Sequence, residues 1–552
     1  MRVVTTPGRH ASGTNPFDLA ALLLLLVLVV IVAICYGDYA ISNDEGVQQR
    51  YGELIIRYYA SGMTDRSFFD LDNLYLYGGL FDVVATLLAK LLPLDLYSVR
   101  HILCALTGIG GIAAVWACAR MIAGPRAGLL AALMLTLCGV WFGGMFNHTK
   151  DVTFAAAMMA ATLMLLRVSR DLPRPRPCDV VLLGLFAGAA LGLRALGLML
   201  PVYGVVAILM ETTSANVEPG RDRLKFLGRS CLVVSPAVVL AYLVMIAAWP
   251  WAALDFLNPV RGLFAFSHFQ YPVRTLLDGQ IYDMMHVPRW YVPAYLLTKL
   301  PLVLLAGLAL AVLFVSTPRF ARTIAPAWSR RAIALLAFSA VFPIVAHVLD
   351  HGPAFSGLRH FIFVIPPMAV LAGIGCDGLL TRLAMWRPRA AAMAGAAVVA
   401  LLTWNAVTLA RLHPYEYLFY NSLVGGLEGA TGRYDTDYWV NMMPEAVRGL
   451  DAYLVRTDTT AEQAPYYVTV CADRLQFEKV ASPRMRWTDD WSQADFFISP
   501  THMNCDRMLE GSVVVSIRRL NTLIGVVKDR RTITRPELAH VATPRKTRGV
   551  DR

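Results

Sequence analysis

The sequence predicts a mostly α-helical protein that crosses a membrane many times. It also predicts helices lying in the interface within the first outer loop, and a small carboxy-terminal α/β domain outside the membrane. Three observations lead there. Of 552 residues, 57% are hydrophobic and only 16% are charged, and the mean hydropathy is +0.52, which excludes an ordinary soluble domain. The apolar residues fall in runs of about 20, the length that crosses hydrocarbon. The formal charge of +11 sits in short basic clusters between those runs, a pattern of cytoplasmic loops and not of a nucleic-acid-binding surface.

About eleven spans are expected, beginning near Phe17, Arg100, Arg126, Val152, Asp179, Ala195, Leu227, Lys299, Ala332, Arg359 and Ala390. Alternate connections are rich in arginine: Arg120 and Arg126; Arg167, Arg170, Arg174 and Arg176; Arg221, Arg223, Lys225 and Arg229; Arg319, Arg322, Arg330 and Arg331; Arg382, Arg387 and Arg389. Positive charge is retained on the cytoplasmic side, so these loops are expected inside, with the amino terminus (Arg2, Arg9). An odd number of spans then carries everything after about Leu412 outside, in a multi-pass protein of the plasma (inner) membrane. The run from Phe17 is too long for a removed signal and lacks a small-residue cleavage site, so it reads as a retained first helix.

The outward connections differ in kind. The first, 38–98, is acidic and contains amphipathic stretches such as Tyr51 to Tyr59, as expected of interfacial helices. The second is the short Phe146 to Asp151, and a later one, 250–293, is aromatic and carries His268, His286 and Arg289. The expected organisation is a membrane module 1–412, an outer α/β domain 413–529, and a basic, loosely ordered tail 530–552. Strand-like runs mark the outer domain at Tyr466 to Cys471, Phe496 to Ser499, Ser512 to Ile517 and Leu523 to Val527. Of nine cysteines, only Cys471 and Cys505 share that domain. They could pair in an oxidising compartment, although their spacing does not itself bring the two Cα atoms together. No CxxC, HExxH, P-loop or dinucleotide glycine signature is present.

Asp44-Glu45, followed by Gln48, Arg50, Tyr51 and Glu53, resembles the first-loop acidic motif of the GT-C glycosyltransferases. These polytopic enzymes include protein O-mannosyltransferases, the lipid A aminoarabinose transferase and lipopolysaccharide galacturonosyltransferases. Asn147 to Phe154, with Lys150-Asp151, resembles the second-loop acidic motif; Pro288 to Pro301 the aromatic loop; and Gly357-Leu358-Arg359-His360, followed by Phe361 to Pro367, the later basic motif. The likeness covers roughly 15–420, and its order and common outward side make it more specific than any one motif. It implies a GT-C fold and transfer, with inversion, of a sugar from a polyprenyl-phosphate carrier to an extracytoplasmic acceptor. Lipid A or lipopolysaccharide, another glycolipid and protein all remain open as acceptors.

Such a reaction needs a carboxylate to take the acceptor's proton, cations for the phosphate leaving group, and an apolar groove for the prenyl chain. Asp44 is the first choice of base, with Glu45 and Asp151 behind it. Helix capping is the competing role for all three, because carboxylates favour the unpaired N–H groups of a helix amino terminus. Arg50, Lys150, Arg194, Arg359 and His360 are the candidates for the donor phosphate, with snorkelling to lipid headgroups as the alternative. No cofactor is assigned; a divalent metal held by His268 and His286 with a first-loop carboxylate stays open, and the lipid-linked sugar donor is a substrate. Two other functions compete: a lipid-linked-sugar flippase or transporter, and a non-catalytic envelope assembly protein.

Overall fold

The structure is a computed structural model that describes residues 15–214, 217, 219–267, 271–315, 327–457 and 465–534. His268, Arg319, Arg322, the first fourteen residues and the tail from 535 lie outside the described residues.

Each of the eleven apolar runs carries a helix, but not every helix is a straight span. Eight are long and apolar enough to cross a membrane. Two further runs are helix pairs bent at a break, Pro125–Thr136 with Gly139–Asn147 (64°) and Tyr291–Lys299 with Leu302–Phe314 (115°), which raises the number to 10 if each pair counts once. The remaining run is the helix Pro177–Leu191, only 15 residues long. The eleven expected spans are thus eight long helices, two bent pairs and one 15-residue helix. Hydropathy registers apolar length and not a break within it.

The break at Leu300 has a local cause. Pro301 follows it and disfavours helical geometry in the preceding residue, which is extended at ψ 141°. The carbonyls freed there are taken up from the carboxy-terminal side: the Asn421 amide donates to Leu297 (2.7 Å) and Leu300 (2.8 Å). At the other break, the side chain of Asn405 donates to the Leu137 carbonyl. Gly139 and Gly143 allow the segment after the last span to lie against the short helix Gly139–Asn147. A Cβ at either glycine would come within 2.4 Å of backbone atoms of Glu416 or Tyr417.

Two helices form the centre of the bundle. In Asp151–Arg170, 89% of the most apolar window is buried, and in Arg359–Trp386, 83%, against 17% for Pro16–Asp38 and 11% for Pro388–Leu412. Small side chains make the central position possible, for example Ala155, Ala156 and Ala161 on the first of these helices. Asp151 and Arg359, at the starts of these helices, are thus fixed by the most tightly enclosed elements of the fold.

The first outer loop folds into the helices Glu45–Ala60 and Leu80–Ala89. Tyr51, Leu54, Ile55 and Tyr58 of the first pack around Phe68. The loop docks on the ends of two spans, where Leu80 N–H donates to the Gly192 carbonyl (3.1 Å) and Gly79 N–H to that of Ala248 (3.0 Å).

The carboxy-terminal domain, expected from the sequence to lie outside, is a five-stranded mixed sheet. With β1 (Arg274–Leu277) and β2 (Gln280–Asp283) forming a separate hairpin, the strands are β3 (Tyr466–Val470), β4 (Met485–Trp487), β5 (Phe496–Pro500), β6 (Ser512–Arg519) and β7 (Thr522–Asp529). Their order is β4-β3-β5-β7-β6. β3 is parallel to β4 and β5, whereas β7 is antiparallel to β5 and β6. The amphipathic helix Met443–Thr457 packs on the sheet through Gly449, whose missing side chain admits Val515. Four of the five strands match the sequence reading. The three-residue β4 was not anticipated, and Arg530–Thr534 continues the domain, with Arg530 buried and donating to the carbonyls of Trp491, Ala494 and Glu510.

Cys471 and Cys505 form a disulfide, with Cα atoms 6.5 Å apart and a sequence separation of 34. Closing a loop of that size in the unfolded chain contributes about 3–4 kcal/mol. Cys505→Ser should lower the denaturant midpoint of the outer domain accordingly, read by a probe attached to that domain in the full-length protein in nanodiscs.

Candidate active site

Four of the charged residues singled out in the sequence converge at one end of the bundle. Asp44 follows the first span, Asp151 and Arg359 start the two central helices, and Arg194 precedes the short helical turn Ala195–Leu198. Arg359 pairs with Asp44 through one terminal nitrogen and with Asp151 through Nε at 3.1 Å. Arg194 pairs with the other oxygen of Asp151. The order is Asp44, Arg359, Asp151, Arg194, a chain of alternating charge.

Neither aspartate is a helix cap. Asp44 occupies the cap position of Glu45–Ala60 without a side-chain bond to it, and the Asp151 carboxylate is spent on two guanidiniums. The two differ in access: the side chain of Asp44 is 34% exposed, that of Asp151 3%. Asp151 therefore orients the arginines from below, while Asp44 can meet an incoming group.

The arginines are held by more than charge. The Arg359 guanidinium lies 4.3 Å from the ring centre of Trp439, supplied by the carboxy-terminal segment. Arg194 lines a largely apolar cavity of 460 Å³ together with Tyr77, Phe266, Phe355, His360 and Phe361. Its Nε is buried and has no hydrogen-bond partner among the described residues, a donor left unmet.

The other candidates are placed differently. Glu45 is fully buried, its carboxylate meeting Arg100 (3.4 Å), His101 (3.3 Å) and the Ser42 N–H (2.8 Å). The cations outweigh burial and hold its carboxyl below the usual range, after desolvation, which acts in the opposite sense. A carboxylate so enclosed has no open face for an acceptor in this structure. Lys150 is also buried, 3.8 Å from Asp82 and 4.8 Å from the ring centre of Tyr77, and burial lowers its pKa against the pull of Asp82. Arg50 pairs with Glu53 at 3.2 Å, both half exposed on the same helix, and is not drawn into the chain of charges. His360 lines the cavity, edge-on to Phe355. His286 is exposed and belongs to no cluster of three metal-ligating side chains among the described residues, so the metal considered for it and His268 gains no support from its position.

Two groups that the sequence reading passed over prove central. Arg100, read as the start of a span, is a completely buried hub that donates to Asp82 (3.0 Å), Gln49 (3.1 Å) and Glu45, tying the first outer loop to the bundle. Its position inside an apolar run was the available signal, since intramembrane arginine is costly and normally paired. His148 lies among Tyr417, Tyr438 and Trp439, and neither ring nitrogen has a hydrogen-bond partner among the described residues.

Residues 80–242 match the family model for dolichyl-phosphate-mannose-protein mannosyltransferase. This segment holds Asp82, Arg100, Lys150, Asp151 and Arg194, and the match bears out the resemblance to GT-C glycosyltransferases drawn from the loop motifs. Among solved structures, the chain is similar to ArnT from Cupriavidus metallidurans bound to undecaprenyl phosphate, at 16% identity and a TM-score of 0.49, covering 94% of this chain and 98% of that one. ArnT in the apo state gives 16% and 0.47, covering 96% and 100%. The Archaeoglobus fulgidus oligosaccharyltransferase in the apo form gives 14% and 0.44, covering 85% and 64%. No curated protein matches the chain by sequence.

The buried His148 generates a prediction. Desolvation, reinforced by Arg359, lowers its pKa from 6.5 to about 3. The unfolded chain therefore binds a proton between those values that the folded chain refuses, and stability falls as pH drops through 6.5 toward 3. Between pH 7 and pH 5 the loss from this residue is about 2 kcal/mol. His148→Phe should reduce the acid-induced loss of unfolding free energy, measured by denaturant titration at pH 7 and pH 5, by about 2 kcal/mol.

Proposed function

We propose that this chain is an integral-membrane inverting glycosyltransferase that moves a sugar from a polyprenyl-phosphate carrier to an extracytoplasmic acceptor. The observation that carries the reading is the placement of Arg194 and Arg359 on one buried carboxylate, Asp151, at the polar end of an apolar cavity, with the half-open Asp44 beyond. A polyprenyl phosphate has this same polarity, one anionic head on a long apolar chain. A cavity of 460 Å³ falls within the usual range of ligand pockets and suits the first isoprene units, the remainder lying in lipid.

In this mechanism the donor phosphate meets Arg194 Nε and the Arg359 guanidinium, whose planar donors suit phosphate oxygens. Arg359 exchanges Asp44 for phosphate, which leaves the Asp44 carboxylate unpaired beside the acceptor. Asp44 accepts the acceptor hydroxyl proton as the acceptor oxygen forms its bond to the anomeric carbon. The bond from that carbon to the phosphate oxygen breaks on the opposite face, and polyprenyl phosphate leaves with its charge neutralised by the two arginines. His360 belongs to the same pocket wall. Asp151 holds both guanidiniums in place throughout.

The arginine-rich loops support a plasma (inner) membrane location with this end of the bundle and the disulfide-bearing domain outside the cytoplasm. An undecaprenyl carrier and a lipid, glycan or protein acceptor are compatible with this site. A transporter reading would have broken helices lining a passage near the midplane, whereas here Gly139, Gly143 and the Leu300 break are packed by residues 416–421.

Asp44→Asn should abolish transfer, by about 10² to 10⁴ in rate, while donor binding persists. Arg194→Ala and Arg359→Ala should each weaken polyprenyl-phosphate binding by roughly ten- to a hundred-fold. Transfer and binding are measured in nanodiscs with a polyprenyl-phosphate sugar donor; near-normal transfer by Asp44→Asn, or unchanged binding by both arginine variants, sinks the reading.

A further inference from the structure

A second cluster of chemically active side chains lies where the first span meets the start of the outer domain. Cys35 and Asp38 close the first membrane helix, and His413 directly follows the last one. The Cys35 sulfur, an Asp38 oxygen and a His413 ring nitrogen all lie within 4.8 Å of one another. Nε2 of His413 approaches Asp38 at 3.1 Å, and Nδ1 meets the carboxylate of Glu416 at 2.7 Å.

Glu416 is not a surface residue. It is buried, and its second oxygen accepts the Tyr39 hydroxyl at 2.9 Å. Tyr39 is itself stacked on Phe146 at 4.0 Å between ring centres. The imidazole is thereby fixed through Nδ1, with Nε2 presented to the open side, where Asp38 and Cys35 stand. A buried carboxylate orienting a histidine through the nitrogen that does not bind is the usual support of a histidine metal ligand.

We propose that Cys35, Asp38 and His413 Nε2 form a zinc-type divalent cation site, with Glu416 as the carboxylate that orients His413. The donor set of one thiolate, one imidazole and one carboxylate suits a tetrahedral ion of borderline softness, and the exposed side of the cluster leaves the fourth position to water. The site has an electrostatic rationale as well. The carboxylates of Asp38 and Glu416 flank the one imidazole, so the cluster is acidic in composition and suited to a cation. Bound there, the ion clasps the end of the first span to the segment that starts the outer domain. The inference is independent of the glycosyl-transfer reading.

The test uses the full-length protein in nanodiscs, stripped with a chelator, with the exposed Cys178 and Cys231 changed to serine. Co²⁺ and Zn²⁺ are the probes. One equivalent of Co²⁺ should give tetrahedral visible bands and a thiolate-to-cobalt charge-transfer band in the near ultraviolet, both displaced by Zn²⁺. Cys35→Ser should abolish the charge-transfer band. His413→Ala should weaken Zn²⁺ binding, measured by competition with a chromophoric chelator, by more than ten-fold, and Glu416→Gln by 10- to 100-fold. No stoichiometric Co²⁺ complex, or a complex whose spectrum and affinity are unchanged in Cys35→Ser, overturns the proposal and leaves His413 as a clamp between Asp38 and Glu416. Thermal melts of the metal-stripped variants check that each remains folded. A charge-transfer band that survives in a folded Cys35→Ser protein counts against the site in the same way.

Discussion

The buried carboxylate of Asp151 is the contact on which the rest of this charged end of the bundle depends. Taking an aspartate out of water beside hydrocarbon costs several kcal/mol unless cations and hydrogen bonds answer it. Here Arg194 and Arg359 do so from opposite sides. Each guanidinium would be equally costly alone. The three groups therefore define one another's positions, and they fix the start of a central helix, the turn at Ala195 and the start of the helix led by Arg359. Asp44 is recruited last, through the remaining face of Arg359, which explains why it alone of the four is appreciably exposed.

A second buried network repeats the device one layer away. Arg100 gathers Glu45, Asp82 and Gln49 and so holds the helices of the first outer loop against the bundle. The adjacent residues Asp44 and Glu45 face opposite demands: one reaches the open cluster and the other turns into the core. A helix places neighbouring residues about 100° apart, so a pair at its first turn can serve both sides.

Much of this was legible in the sequence, for identifiable reasons. Apolar length marks helices, and all eleven runs hold one. The alternating β-branched runs of the outer domain mark four of its strands. Arg194, Arg359 and Asp151 stood out at the outward ends of apolar runs and Asp44 as the first acidic residue of a resembled motif just after the first span, and the fold brings the four together. What was hidden depends on contacts across the chain. Nothing local to Glu45 says that Arg100 and His101 will bury it, and nothing local to Lys150 points to Asp82. The break before Pro301 is repaired by Asn421, 120 residues later. The hairpin of β1 and β2 is a different case. Its turn residues Asp278 and Gly279 both have positive φ, 48° and 83°, and an Asp-Gly pair is a recognised signal for such a turn, obscured here by its aromatic surroundings.

The carboxy-terminal segment does more than lead to a separate domain. Trp439 covers the Arg359 guanidinium, Asn441 accepts from Asn147 at 2.7 Å, and residues 416–421 pack the broken helices. The active end is thus built from the two ends of the chain as well as its middle. The central claim, that the paired arginines are a phosphate site at the mouth of an apolar cavity for the prenyl chain, is tested most directly by a cryo-electron-microscopy structure of the nanodisc-embedded protein with undecaprenyl phosphate. The account predicts phosphate density between Arg194 and Arg359, the first isoprene units along Phe266, Phe355 and Phe361, and Arg359 released from Asp44. Phosphate bound elsewhere, with the Asp44–Arg359–Asp151–Arg194 chain intact, would contradict it.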